Sequence, residues 1–125
     1  MQTLPNGLRV FNATPHPITF WREDWQDVVT VESDIVINAT VSEKLVALDV
    51  PENELVQFVT PTFSPDSDNT VAILKDYREK NIYVIGSIIA AQAYPGLVFG
   101  MIPAPGYERV APAEKRMRPD KFTIF

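Results

Sequence analysis

Short runs of β-branched and aromatic residues recur along the chain, separated by loops rich in proline, glycine and charge. The clearest pattern lies between residues 81 and 106, NIYVIGSIIAAQAYPGLVFGMIPAPG. Residues 82–85 have the length and composition of a strand, residues 87–93 are small and apolar enough to pack as a helix on a sheet, and residues 97–102 resume a strand. This order predicts a right-handed βαβ unit with two parallel strands.

The remaining pattern predicts further strands and one longer helix. Residues 18–21 and 28–32 are apolar runs joined by a charged turn, which indicates a β-hairpin near the N-terminus. Residues 68–80 have apolar side chains at helical spacing, and Asp68 or Asn69 is expected to cap this helix. Shorter strand-like runs are predicted at residues 8–11, 34–38, 45–50, 55–59 and 122–125.

These elements predict an α/β (or α+β) fold: a single mixed β-sheet with a βαβ unit near the C-terminus and an N-terminal β-hairpin. The 125 residues, 46% of them hydrophobic, are enough for one core, so we expect a single domain over residues 1–125. Residues 61–67 are expected to be a loop. Residues 112–119 are too interrupted by proline to form an ordinary helix.

Composition excludes several classes of function. The chain has no cysteine and one histidine, which excludes disulfides, thiolate catalysis and cysteine-ligated metal sites. We expect no metal ion and no cofactor. No apolar stretch is long enough to span a bilayer, and no basic segment followed by an apolar run begins the chain, so a cytoplasmic location without membrane association is expected. The net charge of −5 argues against general nucleic-acid binding.

The charge is unevenly distributed. Residues 108–121 contain five basic and three acidic residues, a local charge of +2 that leaves −7 for the rest of the chain. An acidic body with one basic segment suits a small anionic ligand better than a nucleic-acid lattice. Arg116 and Arg118 are candidate anion-binding residues, with solubility as the alternative role. Because Pro112 and Pro119 interrupt the segment, we expect it to stay out of the sheet and to act from a mobile tail or across a subunit boundary.

A second group of candidate residues follows the first predicted strand. Asn12, Thr14 and His16 alternate in a segment that Pro15 and Pro17 hold in an extended, non-helical conformation. In an extended segment this spacing sends the three side chains the same way, so that together they can bind a polar ligand. The alternative is that Asn and Thr beside proline are ordinary turn residues.

The βαβ unit offers groups that match this loop. Ser87 would begin the helix, where unpaired N–H groups and the helix dipole favour an anion, and Gly86 would allow close approach. If the strands that end near Asn12 and Gly86 are parallel neighbours, both motifs meet in the crevice beyond the carboxyl ends of the strands. Trp21 and Trp25 are expected to cover one end of the sheet, with a stacking platform for a base as the alternative.

Two segments resemble a group of small, mostly uncharacterised proteins encoded by bacteriophages and prophages. The first is NATPH at residues 12–16, which matches the pattern Asn-x-Thr-Pro-His of that group, and the second is IYVIGSIIAAQA at residues 82–93, followed by Pro105-Gly106. The chain departs from the group at Ala13, where leucine is typical, and in the tail RMRPDK at residues 116–121. The resemblance implies a viral origin and hence the cytoplasm of the host cell, and it supplies no activity.

Three classes of function are compatible with these features. We favour a phage-encoded protein that sequesters a nucleotide-like or other anionic small molecule, with counter-defence as its role. The first alternative is a nucleotide-directed hydrolase or transferase that uses His16 as general acid or base, because histidine titrates near neutrality without perturbation. The second alternative is a virion or partner-binding structural module. The expected partners are the small anionic ligand and, with a site shared across a subunit boundary, a second copy of the chain in a homo-oligomer.

Overall fold

The computed structural model describes residues 1–46 and 57–125, and within them the chain forms strands, two α-helices and a 3₁₀ turn at Pro112–Glu114. The predicted runs at residues 45–50 and 55–59 lie partly outside the described residues. The elements in chain order are β1 (Gln2–Thr3), β2 (Arg9–Asn12), β3 (Ile18–Phe20), β4 (Val29–Val31), β5 (Ala39–Leu45), β6 (Val59–Pro65), α1 (Asp68–Glu79), β7 (Ile82–Gly86), α2 (Ile88–Ala93), β8 (Val98–Pro103) and β9 (Met117–Thr123).

The predicted fold class is confirmed. One mixed sheet has seven strands in the order β1-β2-β7-β8-β9-β3-β4. Strands β7 and β8 are parallel neighbours joined through α2, which is the predicted βαβ unit, and β2 lies parallel to β7 on its other side. The antiparallel pair β3–β4 is the predicted N-terminal hairpin, with Ile18 opposite Val31. Strands β5 and β6 form a separate two-stranded antiparallel sheet, which the sequence did not indicate.

Three local predictions are wrong. The strand expected at residues 34–38 is irregular: the N–H groups of Asp34 and Ile37 donate to the carbonyl oxygens of Asn12 and Ala13, at the end of β2, without forming a regular ladder. The loop expected at residues 61–67 is largely strand β6, which accommodates proline because both strands of a two-stranded sheet are edge strands. Helix α1 is capped by Ser67, whose hydroxyl accepts from the N–H of Thr70.

The seven-stranded sheet is curled. Strands β2 and β4 are five strand spacings apart in sheet order, or roughly 24 Å in a flat sheet. Yet Nδ2 of Asn12, the last residue of β2, donates to the carbonyl oxygen of Val31, the last residue of β4, at 3.0 Å. In the turn between β1 and β2, Nδ2 of Asn6 likewise reaches the carbonyl oxygen of Pro119 in β9 at 3.0 Å. Strand β2, next to one edge of the sheet, therefore approaches β4 at the other edge.

This curl gives the protein two apolar clusters. On the concave face, buried side chains from β2, β3, β4 and β7 pack together with one from the segment after β1; they are Leu4, Val10, Phe20, Val31 and Ile85. On the other face, the two helices cover β7 and β8, and the buried residues there are Ala13, Leu74, Val84, Ala90, Ala91, Ala93, Tyr94 and Val98.

Strand β9 corrects the expected position of the basic segment. It lies inside the sheet between β8 and β3, so the prediction that residues 112–119 stay out of the sheet is wrong for its last residues. In the pairing of β8 with β9, Met101 lies opposite Phe122 and Pro103 lies opposite Met117, so β9 has four residues (118–121) where β8 has one. Pro119 is tolerated because it lies in this bulge, outside the regular ladder. This bulge buries Pro119 and fixes Arg118 and Asp120 on the body of the protein.

The separate sheet, which we call the arm (β5 and β6), is fixed to the body by Tyr94. This residue is buried, and its hydroxyl lies 2.6 Å from Oδ1 of Asp66 and 3.0 Å from the carbonyl oxygen of Asn38, while it accepts from the N–H of Asp66 at 3.0 Å. Its hydrogen bond lowers the pKa of Asp66. Both strands of the arm are therefore tied at its base to one side chain, that of Tyr94 directly after α2.

We expect Tyr94→Phe to destabilise the protein by about 1 kcal/mol near pH 7, because it removes these hydrogen bonds. The lowered pKa of Asp66 stabilises the folded state above about pH 4, the unfolded value, and this stabilisation disappears as the pH falls through the folded value. Urea unfolding at pH 7 and pH 2 should therefore show a smaller difference between the variant and the wild type at the lower pH. Tyr77→Phe is the control, and an equal loss in both variants would contradict the anchoring role.

Candidate functional site

The two motifs predicted to share a crevice do lie at neighbouring strand ends. Asn12 is opposite Ile85 in the parallel pair β2–β7, so the loop after Asn12 and the turn after Gly86 both lie beyond the carboxyl ends of these two strands. The N–H of Ala13 continues the pairing by donating to the carbonyl oxygen of Ile85 at 2.9 Å. What the structure changes is the direction in which the side chains point.

Asn12 and Thr14 are turned into the protein. The Asn12 side chain has no exposed surface; its Nδ2 donates to the carbonyl oxygens of His16 at 2.8 Å and Val31 at 3.0 Å, and its Oδ1 accepts from the N–H of Thr14 at 2.9 Å. The Thr14 hydroxyl lies 2.7 Å from that Oδ1 and 2.9 Å from the His16 carbonyl oxygen. These two side chains therefore stabilise the turn, as in the alternative interpretation, and do not line a crevice.

His16 lies apart from them. The chain bends after Asn12, so the alternation that an extended segment would produce is lost, and the His16 side chain is exposed at the surface. Its hydrogen bonds within the described residues are made by its backbone, which serves the Asn12–Thr14 turn. No described carboxylate or hydroxyl orients the imidazole, which weakens the prediction of a general acid or base at this position.

Gly86 and Ser87 also have local structural tasks. A Cβ atom on Gly86 would lie 2.7 Å from Cγ1 of Val98 and 3.3 Å from Cβ of Ala90, so the close approach that this glycine permits is made by the protein's own strand and helix. Ser87 is exposed and caps α2, because its Oγ accepts from the N–H of Ala90 at 3.1 Å. The anion site was expected between Ser87 and the Asn12 loop. The Asn12 and Thr14 side chains do not contribute to it, because they are turned into the protein.

Arg116 is the predicted site residue that the structure presents best. Its guanidinium lies 5.2 Å from the ring centroid of Trp21 and 4.9 Å from that of Tyr107, and these two rings contact each other edge to face at 6.1 Å. All three residues are half-buried. We call them the aromatic clamp. The guanidinium makes no hydrogen bond or ion pair with the part of the chain that the structure describes.

Arg118 is in a different situation. Its Nε and Nη2 donate to the two carboxylate oxygens of Asp120 at 3.0 and 3.1 Å, which lowers the pKa of Asp120 and raises that of Arg118. The positive charge of Arg22 also lowers the pKa of Asp120, and Arg22 itself pairs with Asp24 at 3.0 Å. These residues form a charge-balanced group, so Arg118 is less available to an added anion than Arg116.

Two open clefts adjoin the clamp. One, of about 430 Å³, is lined by Trp21, Glu23, Ala104 and Pro105 together with the charge-balanced group. The other, of about 400 Å³, is lined by Tyr107, Arg116 and Lys115, with Thr19 and Glu114 beside them. In the parallel pair β3–β9, Phe20 lies opposite Met117, so Trp21 and Arg116 lie one residue to either side of this pair and on the same face of the two strands.

The sequence missed Tyr107 and Lys115 as site residues and assigned Trp21 to packing with stacking as the alternative. Tyr107 follows the Pro105-Gly106 turn directly, and an aromatic residue presented by a rigid turn is a signal that could have been used. The pairing of β3 with β9 spans nearly the whole chain, and no local pattern encodes it.

Among residues 1–46 and 57–125, no group of three acidic or histidine side chains is placed to hold a metal ion, and no helix is long and apolar enough to cross a membrane. Comparison of the chain with models of protein families, with curated proteins and with solved structures finds no match.

Proposed function

We propose that this protein binds and sequesters a small anionic molecule of the nucleotide type, and that the aromatic clamp is its binding site. The observation that supports the proposal is the Arg116 guanidinium, which packs against the rings of both Trp21 and Tyr107 and is bonded to no described acceptor. On the resemblance to phage-encoded proteins, the ligand would be a messenger of the host cell and the role counter-defence.

A clamped guanidinium is well suited to an anion. The guanidinium lies 5.2 and 4.9 Å from two ring centroids that are only 6.1 Å apart, so both rings pack on adjoining sides of the group, and its five N–H donors bond to no described acceptor. The rings also limit the motion of the side chain, so less conformational entropy is lost when a phosphate or carboxylate binds. Lys115 lines the same cleft and adds a second positive charge, partly offset by Glu114.

The aromatic and acidic groups extend the match from an anion to a nucleotide. Trp21 is half-buried and lines the first cleft, where an exposed part of its ring can stack on a base. The carboxylates of Asp24 and Asp120 line that cleft and can accept hydrogen bonds from sugar hydroxyl or base amino groups. Each cleft, at about 400 Å³, has the volume of a small-molecule site.

Binding without turnover fits this geometry better than catalysis. The one histidine is exposed and has no orienting partner among the described residues, and it lines neither cleft described above. A phosphate ester would thus meet donors that bind it but no group placed to activate water.

The test compares Arg116 with Arg118, which were both predicted from the sequence as anion-binding residues. We expect Arg116→Ala to weaken the best-bound member of a panel of nucleoside mono- and diphosphates by roughly 10- to 100-fold, because a charge-assisted hydrogen bond and a stacking partner are lost. Arg118→Ala should weaken it only a few-fold, since that guanidinium is already bound to Asp120. Calorimetry and Trp21 fluorescence would measure both.

Lys121→Ala is the matched control for net charge, because Lys121 lies exposed in the same strand. Small molecules released by denaturing the purified protein should be identified by mass spectrometry, and each should be incubated with fresh protein to look for product. Equal weakening by all three substitutions would indicate only a general charge effect. Detection of product would replace sequestration by catalysis.

A further inference from the structure

The arm has two faces of opposite character. Residues directly opposite in its antiparallel register share a face, and successive residues alternate between faces. One face is made of hydroxyl side chains and a lysine: Thr40, Ser42, Lys44, Thr60, Thr62 and Ser64. The other is apolar apart from Glu43: Ala39, Val41, Leu45, Val59, Pro61, Phe63 and Pro65.

Only the base of the apolar face is covered by the protein's own body. Ala39 and Phe63 pack against the cluster that contains Tyr94 and the alanines of α2. Further along the arm, Val41, Leu45 and Val59 are 57%, 67% and 43% exposed. A face that alternates this strictly and is packed at one end normally continues against a surface.

The same chain also presents exposed apolar side chains on its helices. Ile73 in α1 and Ile88 and Ile89 in α2 are 47%, 45% and 47% exposed. Helix α2 is the element on which the base of the arm already packs. Each chain therefore has both an uncovered arm face and an uncovered surface of the kind that the arm binds.

We propose that two copies of this chain form a dimer in which the distal apolar face of each arm packs on the helix isoleucines of the other copy. Because one copy supplies both complementary surfaces, a two-fold axis satisfies both contacts at once and closes the assembly. The β5 strand, about 20 Å long, is long enough to reach a neighbouring body. The hydroxyl face of the arm then remains in water.

The areas agree with this assembly. The exposed fractions correspond to roughly 300 Å² of apolar residue surface on the arm and roughly 250 Å² on the helices, against the ~800 Å² per partner of a standard interface once polar surroundings are added. An isolated two-stranded sheet is marginally stable in water, so covering the arm also explains how it keeps its strand pairing. Packing two arm faces on each other would instead bring two like charges, the Glu43 carboxylates, into one contact, whereas each arm–helix contact contains a single Glu43.

Sedimentation equilibrium and light scattering on the wild type should give about twice the chain mass of 14.1 kDa at ~50 μM. Val41→Thr with Leu45→Thr, and separately Ile73→Thr with Ile89→Thr, should each raise the dimer dissociation constant at least about 100-fold. Threonine keeps the strand propensity in the arm, and circular dichroism checks the fold of each variant. Ser42→Thr with Lys44→Thr, on the hydroxyl face, is the matched control and should leave the dimer intact.

Mixing the two monomeric variants distinguishes this arrangement from others. The helix variant (Ile73→Thr with Ile89→Thr) keeps an intact arm, and the arm variant (Val41→Thr with Leu45→Thr) keeps intact helices. In the mixture, the intact arm can pack on the intact helices, which restores one of the two contacts, so heterodimers should form. A monomeric wild type would overturn the proposal. So would a helix variant that dimerises normally, or a mixture without heterodimers, because either result would mean that the arms pack on each other or on another surface.

Discussion

Asn12→Ala should lower the free energy of unfolding by about 3 kcal/mol, although Asn12 was a candidate ligand-binding residue on sequence grounds. Its amide fills its hydrogen-bonding capacity inside the protein, with the carbonyl oxygens of His16 and Val31 and with the N–H of Thr14. Alanine removes the partner of the buried Thr14 N–H and of the Val31 carbonyl oxygen, and each such loss costs on the order of 1 kcal/mol or more. The hydrogen bond to Val31 also joins β2 to β4 across the curled sheet, so its loss is expected to affect the whole fold.

Urea denaturation monitored by tryptophan fluorescence would measure this loss. His16→Ala is the control in the same loop, because the imidazole is exposed and the backbone carbonyl of His16 makes the hydrogen bonds, so a change within about 0.5 kcal/mol is expected. The structural role of Asn12 would be refuted by an Asn12→Ala variant that keeps wild-type stability and loses ligand affinity. That result would restore the crevice predicted from the alternating polar residues.

The βαβ unit could be predicted because its signals are local. Residues 82–85 and 97–102 are strand-like by composition, a helix-compatible run lies between them, and the structure places β7, α2 and β8 within one or two residues of these ranges. The hairpin of β3 and β4 has the same property, since its two strands are separated by one charged turn. Short-range elements of this kind are specified by pattern and turn chemistry alone.

The arm was not predicted because the residues that pair in it lie far apart in the sequence. Its strands pair residues as far apart as Ala39 and Pro65, and prolines 61 and 65 argue against a strand unless the strand is known to be an edge. The alternation of apolar and hydroxyl residues becomes persuasive only when both strands are aligned. Register across a long connection is a tertiary property, and a single sequence does not reveal it.

The candidate site shows the same division. Arg116 was chosen from local charge, and the structure presents it; its clamp partners Trp21 and Tyr107 depend on β3 pairing with β9 and on the turn at Gly106. The Asn12 loop was chosen from an assumed extended conformation, which failed because the Val31 carbonyl draws the amide inward. Residue type could be read from the sequence, but the direction of a side chain depended on distant partners.

Gly86→Ala is the second substitution with a large expected effect, a loss of about 2 kcal/mol in the free energy of unfolding. The added methyl group would lie 2.7 Å from Cγ1 of Val98, a fully buried and β-branched side chain with no room to rotate, and 3.3 Å from Cβ of Ala90. Either β7 and β8 must separate or α2 must lift from the sheet. Overpacking of this kind typically costs 1 to 3 kcal/mol.

Gly100 provides a control within the same pair of strands, because it lies opposite Gly86 in the register. A Cβ there would also meet an atom at 2.7 Å, but that atom is Cδ1 of Ile88, the end of a flexible and partly exposed side chain that can turn aside. Gly100→Ala should therefore cost less than half as much as Gly86→Ala in the same urea titration. Ligand affinity measured on folded Gly86→Ala should equal that of the wild type, because the clamp lies at β3 and β9. If affinity falls while stability is unchanged, Gly86 serves ligand approach rather than the packing of α2 on the sheet.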